Sequence, residues 1–182
     1  SNLQFIWGIR VNRIASPDNF NVRYLRGEYW IGSTKHMTKA IFTTKPSPAY
    51  DDLPESRYHF PSTYLNQVRD TVGDWIIYYK PRRTSSIKSS TGGRQAYFAI
   101  ARVTDLREDL INSNHYYADI SDYIEFARSV PFREGTLYYE SALRRKDGGT
   151  SKGAFGRAVR PLQLDEFELI LRAGFASVLS GP

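Results

Sequence analysis

The chain has 182 residues, 41% hydrophobic and 14% aromatic, with no cysteine and 25 Lys and Arg against 19 Asp and Glu, a formal net charge of +6. That length supports one domain with extensions and a core that needs no staples. The missing cysteine excludes a disulfide framework, a zinc ribbon, a cysteine nucleophile and an iron–sulfur cluster, and no apolar run reaches the ~18 residues of a membrane span.

In chain order, residues 1–36 show no clear helical or strand period, and Met37 is the only methionine. The first 36 residues are therefore expected to be an extension, with the domain over 37–176 and a tail over 177–182. The N-terminus, Ser1-Asn2-Leu3-Gln4, lacks the basic-then-apolar layout of a signal peptide. A cytosolic address is expected. Ala40 to Lys45 reads as a strand, broken by Pro46-Ser47-Pro48. Ser62 is expected to cap a short helix carrying Tyr64, Leu65 and Val68, with Gly73 beyond its end. Trp75 to Lys80 has strand composition, and a polar loop runs from Thr84 to Gly93. Gln95 to Thr104 is a second such strand, with Tyr97, Ala99, Ala101 and Val103 on one face and Phe98, Ile100 and Arg102 on the other. Tyr117 to Phe126 and Leu137 to Tyr139 are further strands, and Asp147-Gly148-Gly149 is a turn leading to the Gly153–Val159 segment. The last helix places Asp165 and Glu168 at capping-box spacing, Phe167, Ile170 and Leu171 on one face, and Gly174 at the C′ position. The fold expected is a mixed, mostly antiparallel sheet curled into a small barrel.

Charge is segregated along the chain. Residues 75–104 carry Lys80, Arg82, Arg83, Lys88, Arg94 and Arg102 with no acid, and residues 141–164 carry Arg144, Arg145, Lys146, Lys152, Arg157 and Arg160 against Asp147 alone. Like charges crowded in this way repel one another, so the pattern suits a surface that meets phosphates. Lys80, Arg82, Arg83, Lys88, Arg94, Arg144, Arg145, Lys152 and Arg157 are the expected phosphate contacts. Catalytic signatures are missing: His36, His59 and His115 are scattered, no metal-ligand spacing occurs, and Gly148, Gly149, Gly153 and Gly156 do not fit a phosphate-binding loop. A binding module without cofactor or metal is expected.

The tyrosines stand beside cations and histidines, in Tyr58-His59-Phe60, Tyr78-Tyr79-Lys80 and His115-Tyr116-Tyr117, which suits base stacking together with phosphate pairing. Tyr78, Tyr79 and Tyr97, inside strands, read chiefly as barrel core. Tyr58, His59, Tyr116 and Tyr117, placed in loops flanking strands, read as a pocket.

The order of four segments resembles the EVE branch of the PUA-like superfamily, whose YTH, SRA and ASCH members share one barrel. They are Ala40-Ile41-Phe42-Thr43-Thr44-Lys45-Pro46-Ser47, Tyr58-His59-Phe60 before a helix, Val72-Gly73-Asp74-Trp75 opening a strand, and Ala96-Tyr97-Phe98-Ala99 opening another. Pro81-Arg82-Arg83, Gly93-Arg94-Gln95-Ala96-Tyr97 and Lys152-Gly153-Ala154-Phe155-Gly156-Arg157-Ala158-Val159-Arg160 further resemble the domain found ahead of HNH nucleases in bacterial modification-dependent restriction enzymes. The resemblance spans residues ~38–175. It implies an α+β, PUA-like (EVE-like) barrel with a few short flanking helices. It also implies a bacterial, cytoplasmic module that flips a methylated or hydroxymethylated cytosine, or N6-methyladenine, of double-stranded DNA into an aromatic pocket.

Carried over by position, one cage wall falls at Tyr58, His59 or Phe60, the strand-end floor at Thr44 and Lys45, and the opposite wall at Tyr116 or Tyr117. Asp119 or Asp122 stands ready to read an exocyclic amine. The tryptophans common in such cages are replaced by Tyr, His and Phe. Cleavage would belong to a fused or partner HNH nuclease. Two alternatives come with the resemblance: an RNA-binding module of the PUA or YTH kind, and an ASCH-type amidohydrolase in which Lys45 activates water.

Overall fold

The computed structural model describes residues 38–44, 53–81 and 95–176, all within one compact unit, Lys35–Pro182. The extension over 1–36, Met37, Lys45, the Thr84–Gly93 loop with Arg82, Arg83, Lys88 and Arg94 around it, and the tail lie outside the described residues.

The architecture is α+β. The elements are β1 (Lys39–Thr43), β2 (Arg57–Pro61), a 3-10 turn (Ser62–Tyr64), α1 (Leu65–Arg69), β3 (Trp75–Lys80), β4 (Ala96–Glu108) and β5 (His115–Pro131). There follow β6 (Arg133–Glu134), β7 (Leu137–Tyr138), a second 3-10 turn (Ser141–Leu143), α2 (Lys152–Phe155), β8 (Val159–Leu162) and α3 (Leu164–Gly174). Six strands form one sheet in the order β2-β5-β4-β3-β1-β8, and β6 with β7 makes a small separate ladder. Only the β1–β3 pair of the large sheet is parallel; its other pairs are antiparallel.

β1 and β3 read as nearly unbroken apolar runs because both faces of the sheet are covered. Alternation divides their side chains between two clusters. The concave one gathers Ala40, Phe42, Ile76, Tyr78, Ala99, Ala101 and Val103 with Tyr58 and Phe60 from one edge strand and Val159 from the other. The convex one sets Ile41, Ile77, Tyr79, Tyr97, Ile100 and Leu162 under Phe167 and Ile170 of α3.

The sheet curls without closing. Among the described residues no ladder joins β2 to β8, and side chains span the gap instead. The Tyr58 hydroxyl donates to the carbonyls of Thr43 (3.1 Å) and Ala158 (3.3 Å), its ring lies 4.6 Å from Phe42, and the Tyr64 hydroxyl accepts from the Ala158 N–H. The expected barrel is thus an open half-barrel.

Three local expectations are corrected. A bulge shifts the β3–β4 register between Tyr78 and Tyr79, so Tyr97 joins Ile100 on the convex side while Phe98 packs against the concave cluster. The capping box of α3 uses Gln163 and Glu166 rather than Asp165 and Glu168. Ser62 makes no capping bond; the 3-10 turn starts from Pro61.

Candidate nucleic-acid interface

The residues expected to wall one pocket separate by strand parity. Tyr58, His59 and Phe60 lie on β2 and Tyr116, Tyr117 and Asp119 on β5, not on loops, because β2 ladders with the start of β5 from Arg57–Asp119 to Pro61–His115. Tyr58 and Phe60 point into the concave core at 2% and 0% exposure, and Tyr116 packs on Phe60 with ring centroids 6.0 Å apart. Neither Tyr58 nor Phe60 has a face to offer a base.

The other row lies on the opposite face of the sheet. Tyr117 stacks on His59 at 4.6 Å and 19°, and the Arg107 guanidinium lies 4.3 Å from the Tyr117 ring centre, so the ring is flanked from both neighbouring strands. His59 Nε2 stands 3.0 Å from the Asp109 carboxylate, both side chains buried. Asp119 is taken by Arg107 at 3.0 Å, and Asp122 is exposed with φ 51°. A cleft of about 440 Å³ opens here, lined by Arg57, Arg107, Glu108, Asp109, Leu110, Ile111 and Tyr117. Its two guanidiniums face two carboxylates, which makes it a poor phosphate site.

Thr44 lies elsewhere, at the end of β1, where its hydroxyl donates to the Tyr79 carbonyl at 3.3 Å. At this end β1 and β3 finish, β4 begins and β5 stops, as the pairs Thr43–Tyr79, Lys80–Ala96 and Ala96–Pro131 require. A second cleft, about 370 Å³, opens here among Gln95, Phe132, Thr150, Lys152, Phe155 and Gly156. Phe132 reaches it because its N–H donates to the Gln95 carbonyl as β5 ends. Thr150 is fixed by a bridge to Arg144 across the turn at Gly148, where φ is 80°, and by a 2.9 Å hydrogen bond to the Tyr138 hydroxyl. Ser151 caps α2 by accepting from the Ala154 N–H, and α2 presents Phe155 edge-on to Phe132 at 4.8 Å and to Tyr79 at 5.6 Å.

Beneath this cleft lies a buried polar network. Arg160 donates to both Glu140 oxygens, at 2.7 and 2.8 Å, and to the Thr43 hydroxyl and the Arg157 carbonyl. The Tyr97 hydroxyl donates to the same carboxylate at 2.7 Å. Burial pulls the Arg160 pKa down, but the hydrogen bonds and charge of Glu140 outweigh it and hold the guanidinium above its ordinary value. Burial drives the Tyr79 and Tyr97 phenols up, with Glu140 adding to the effect at Tyr97, so both stay neutral. Arg160 therefore leaves the expected basic surface: it is a support of the cleft, 3% exposed.

The remaining cations do reach solvent. Lys80, Arg133, Arg144, Lys146, Lys152 and Arg157 are exposed, each lining the cleft or close to a lining residue in sequence or register. The acids of this end are occupied: Asp147 pairs with Arg145 at 2.6 Å and Glu134 with Arg128 at 3.6 Å. Gln95, Phe132, Thr150 and Phe155 were not among the expected site residues, although Gln95 and Phe155 fall inside the quoted motifs. No group of three His, Asp or Glu side chains among the described residues is placed to hold a metal ion, and no helix among them is long and apolar enough to cross a membrane. A scan against protein-family models and a search of curated proteins find no match to this chain.

Proposed function

We propose that this domain binds double-stranded DNA and reads one modified base, a methylated or hydroxymethylated cytosine or N6-methyladenine. In this reading it is the specificity module of a bacterial modification-dependent restriction system whose cleavage belongs to a fused or partner HNH nuclease. The observation that carries the reading is the meeting, at one end of the half-barrel, of the Phe132–Phe155 cleft with exposed cations whose neighbouring acids are already paired. Extruding a base costs a few kcal/mol, and stacking on an aromatic wall returns about 1–3 kcal/mol, so phosphate contacts must supply the balance. Lys152, Arg157, Arg144 and Arg133 are suited to that task as exposed cations with no ion pair among the described residues.

The test is a titration of the 182-residue chain against matched duplexes bearing C, 5-methylcytosine, 5-hydroxymethylcytosine, A or N6-methyladenine at one site, repeated across salt. Tighter binding to one modified duplex is expected, with log K falling against log salt at a slope of about −3 to −4 for these four cations. Equal affinity for all five duplexes would overturn the reading, and tighter binding to RNA of the same sequence would replace it with the RNA alternative.

A further inference from the structure

Gln95 is the last residue before β4, and it adopts φ 50°, the left-handed region that a glycine enters freely and a glutamine rarely does. Gly92 and Gly93 precede Arg94 just upstream in the sequence, yet the left-handed position is held by the longer Gln95. Ala96 beside it is buried in the sheet, and the positive φ turns Gln95 out of the strand's alternation to line the cleft with Phe132, Thr150 and Phe155. Its carbonyl is anchored by the Phe132 N–H at 3.1 Å. Its carboxamide, on a half-buried residue, makes no hydrogen bond among the described residues and is not among the buried polar atoms shut off from water, so it stays open to a ligand. A left-handed backbone that turns a solvent-accessible donor and acceptor toward an aromatic cleft is the arrangement expected of a ligand-reading residue.

We propose that Gln95 is the specificity-determining residue of the cleft, its carboxamide pairing with the donor–acceptor edge of a base seated against the Phe132 and Phe155 rings. The proposal rests on the DNA-reading function above. A carboxamide presents an N–H donor beside a carbonyl acceptor, the complement of an adenine N6–H and N7 or of a cytosine N4–H and N3. The rings sense the plane and the added methyl or hydroxymethyl group, and the amide senses the edge. Lys152, also lining the cleft, is left for the phosphate of the same nucleotide.

Two substitutions separate this role from a structural one. Gln95→Gly removes the amide and relieves the backbone, so its thermal midpoint should equal or exceed that of the wild type. Gln95→Glu keeps length and shape but holds only acceptors. In the five-duplex competition both should lose about 5- to 150-fold of the preference for the modified duplex, the loss of one bidentate contact, while affinity for unmodified duplex stays within about twofold. Retention of the wild-type preference by either folded variant overturns the role of Gln95 and leaves the DNA-reading function standing. An equal loss of affinity for every duplex, with the midpoint kept, makes Gln95 a phosphate-side contact and also overturns it. A wild-type chain without any preference overturns both.

Discussion

Gly174 shows how a single atom can be excluded from this fold. It ends α3 directly over the Phe126 ring, and a Cβ placed there would stand 2.6 Å from Cγ and Cδ2 of that ring. Because Cγ lies close to the β5 backbone, the ring cannot swing clear as a flexible tip would. Overpacking of this kind costs about 1–3 kcal/mol, against which alanine returns about 1 kcal/mol of helix propensity. Gly174→Ala is therefore expected to lower stability by up to about 2 kcal/mol in denaturant titration. Adding Phe126→Leu should recover part of the loss, because the smaller side chain yields the space; a stabilised Gly174→Ala single variant would disprove the clash. The sequence reading puts Gly174 at the C′ position beyond the helix, but it is the last helical residue, with Phe175 at the C-cap; a cap and a close approach leave the same letter.

At the scale of elements, the β4–β5 turn carries its own pH signature. Asp109 accepts from the Asn112 side chain at 2.8 Å and from the Ile111 and Asn112 N–H groups at 2.9 and 3.1 Å, with His59 facing it. Those donors, the Asn112 amide foremost, hold its carboxyl well below the usual carboxylate range. A depressed carboxylate pKa contributes stability that is present above the unfolded-state value, about 3.9, and is lost as pH falls toward the folded one. Asp109→Asn should thus be less stable than wild type at neutral pH, with the gap closing in acid below pH ~4; a gap independent of pH between 7 and 2 would remove the carboxylate from the account.

How much of these elements was legible follows from periodicity. β1 and β3 could be read because β-branched and aromatic runs bounded by Pro and Gly have few alternatives. The Tyr97 face could not, because a bulge adds one residue to one strand without any residue type to announce it. His59 was misread as a loop residue because a five-residue edge strand rich in aromatics resembles a pocket rim until its ladder to β5 is known.

At the scale of the molecule, the two basic blocks had a spatial meaning that one-dimensional counting reached only in part. Lys152 of the second block lines the cleft, yet Arg160 within that block turns inward to Glu140, a difference invisible without the partner's position 20 residues away. The aromatic walls are expected at Tyr58, His59 or Phe60 and at Tyr116 or Tyr117; Tyr58 and Phe60 are buried in the core, and the cleft beside the exposed cations is lined by Phe132 and Phe155. Curling the sheet consumes Tyr58, Tyr78 and Tyr97 as core, and the rings of this cleft come from Phe132 and Phe155, beyond β5.

That division of labour gives a contrast between the two ends of β4. Lys152→Ala or Arg157→Ala removes a cation with no ion pair among the described residues. Each should weaken binding to modified and unmodified duplex alike and reduce the salt slope by about 0.9, one released counterion. Arg107→Ala, at the cleft shared with Glu108 and Asp109 and paired to Asp119, removes a charge that is already compensated. It should leave the slope unchanged and touch affinity little. The measurement is the set of slopes for the four proteins on one modified duplex. If Arg107→Ala flattens the slope while Lys152→Ala and Arg157→Ala do not, DNA lies against the β4–β5 turn, and the exposed Leu110 and Ile111 there become its contacts in place of Phe132 and Phe155.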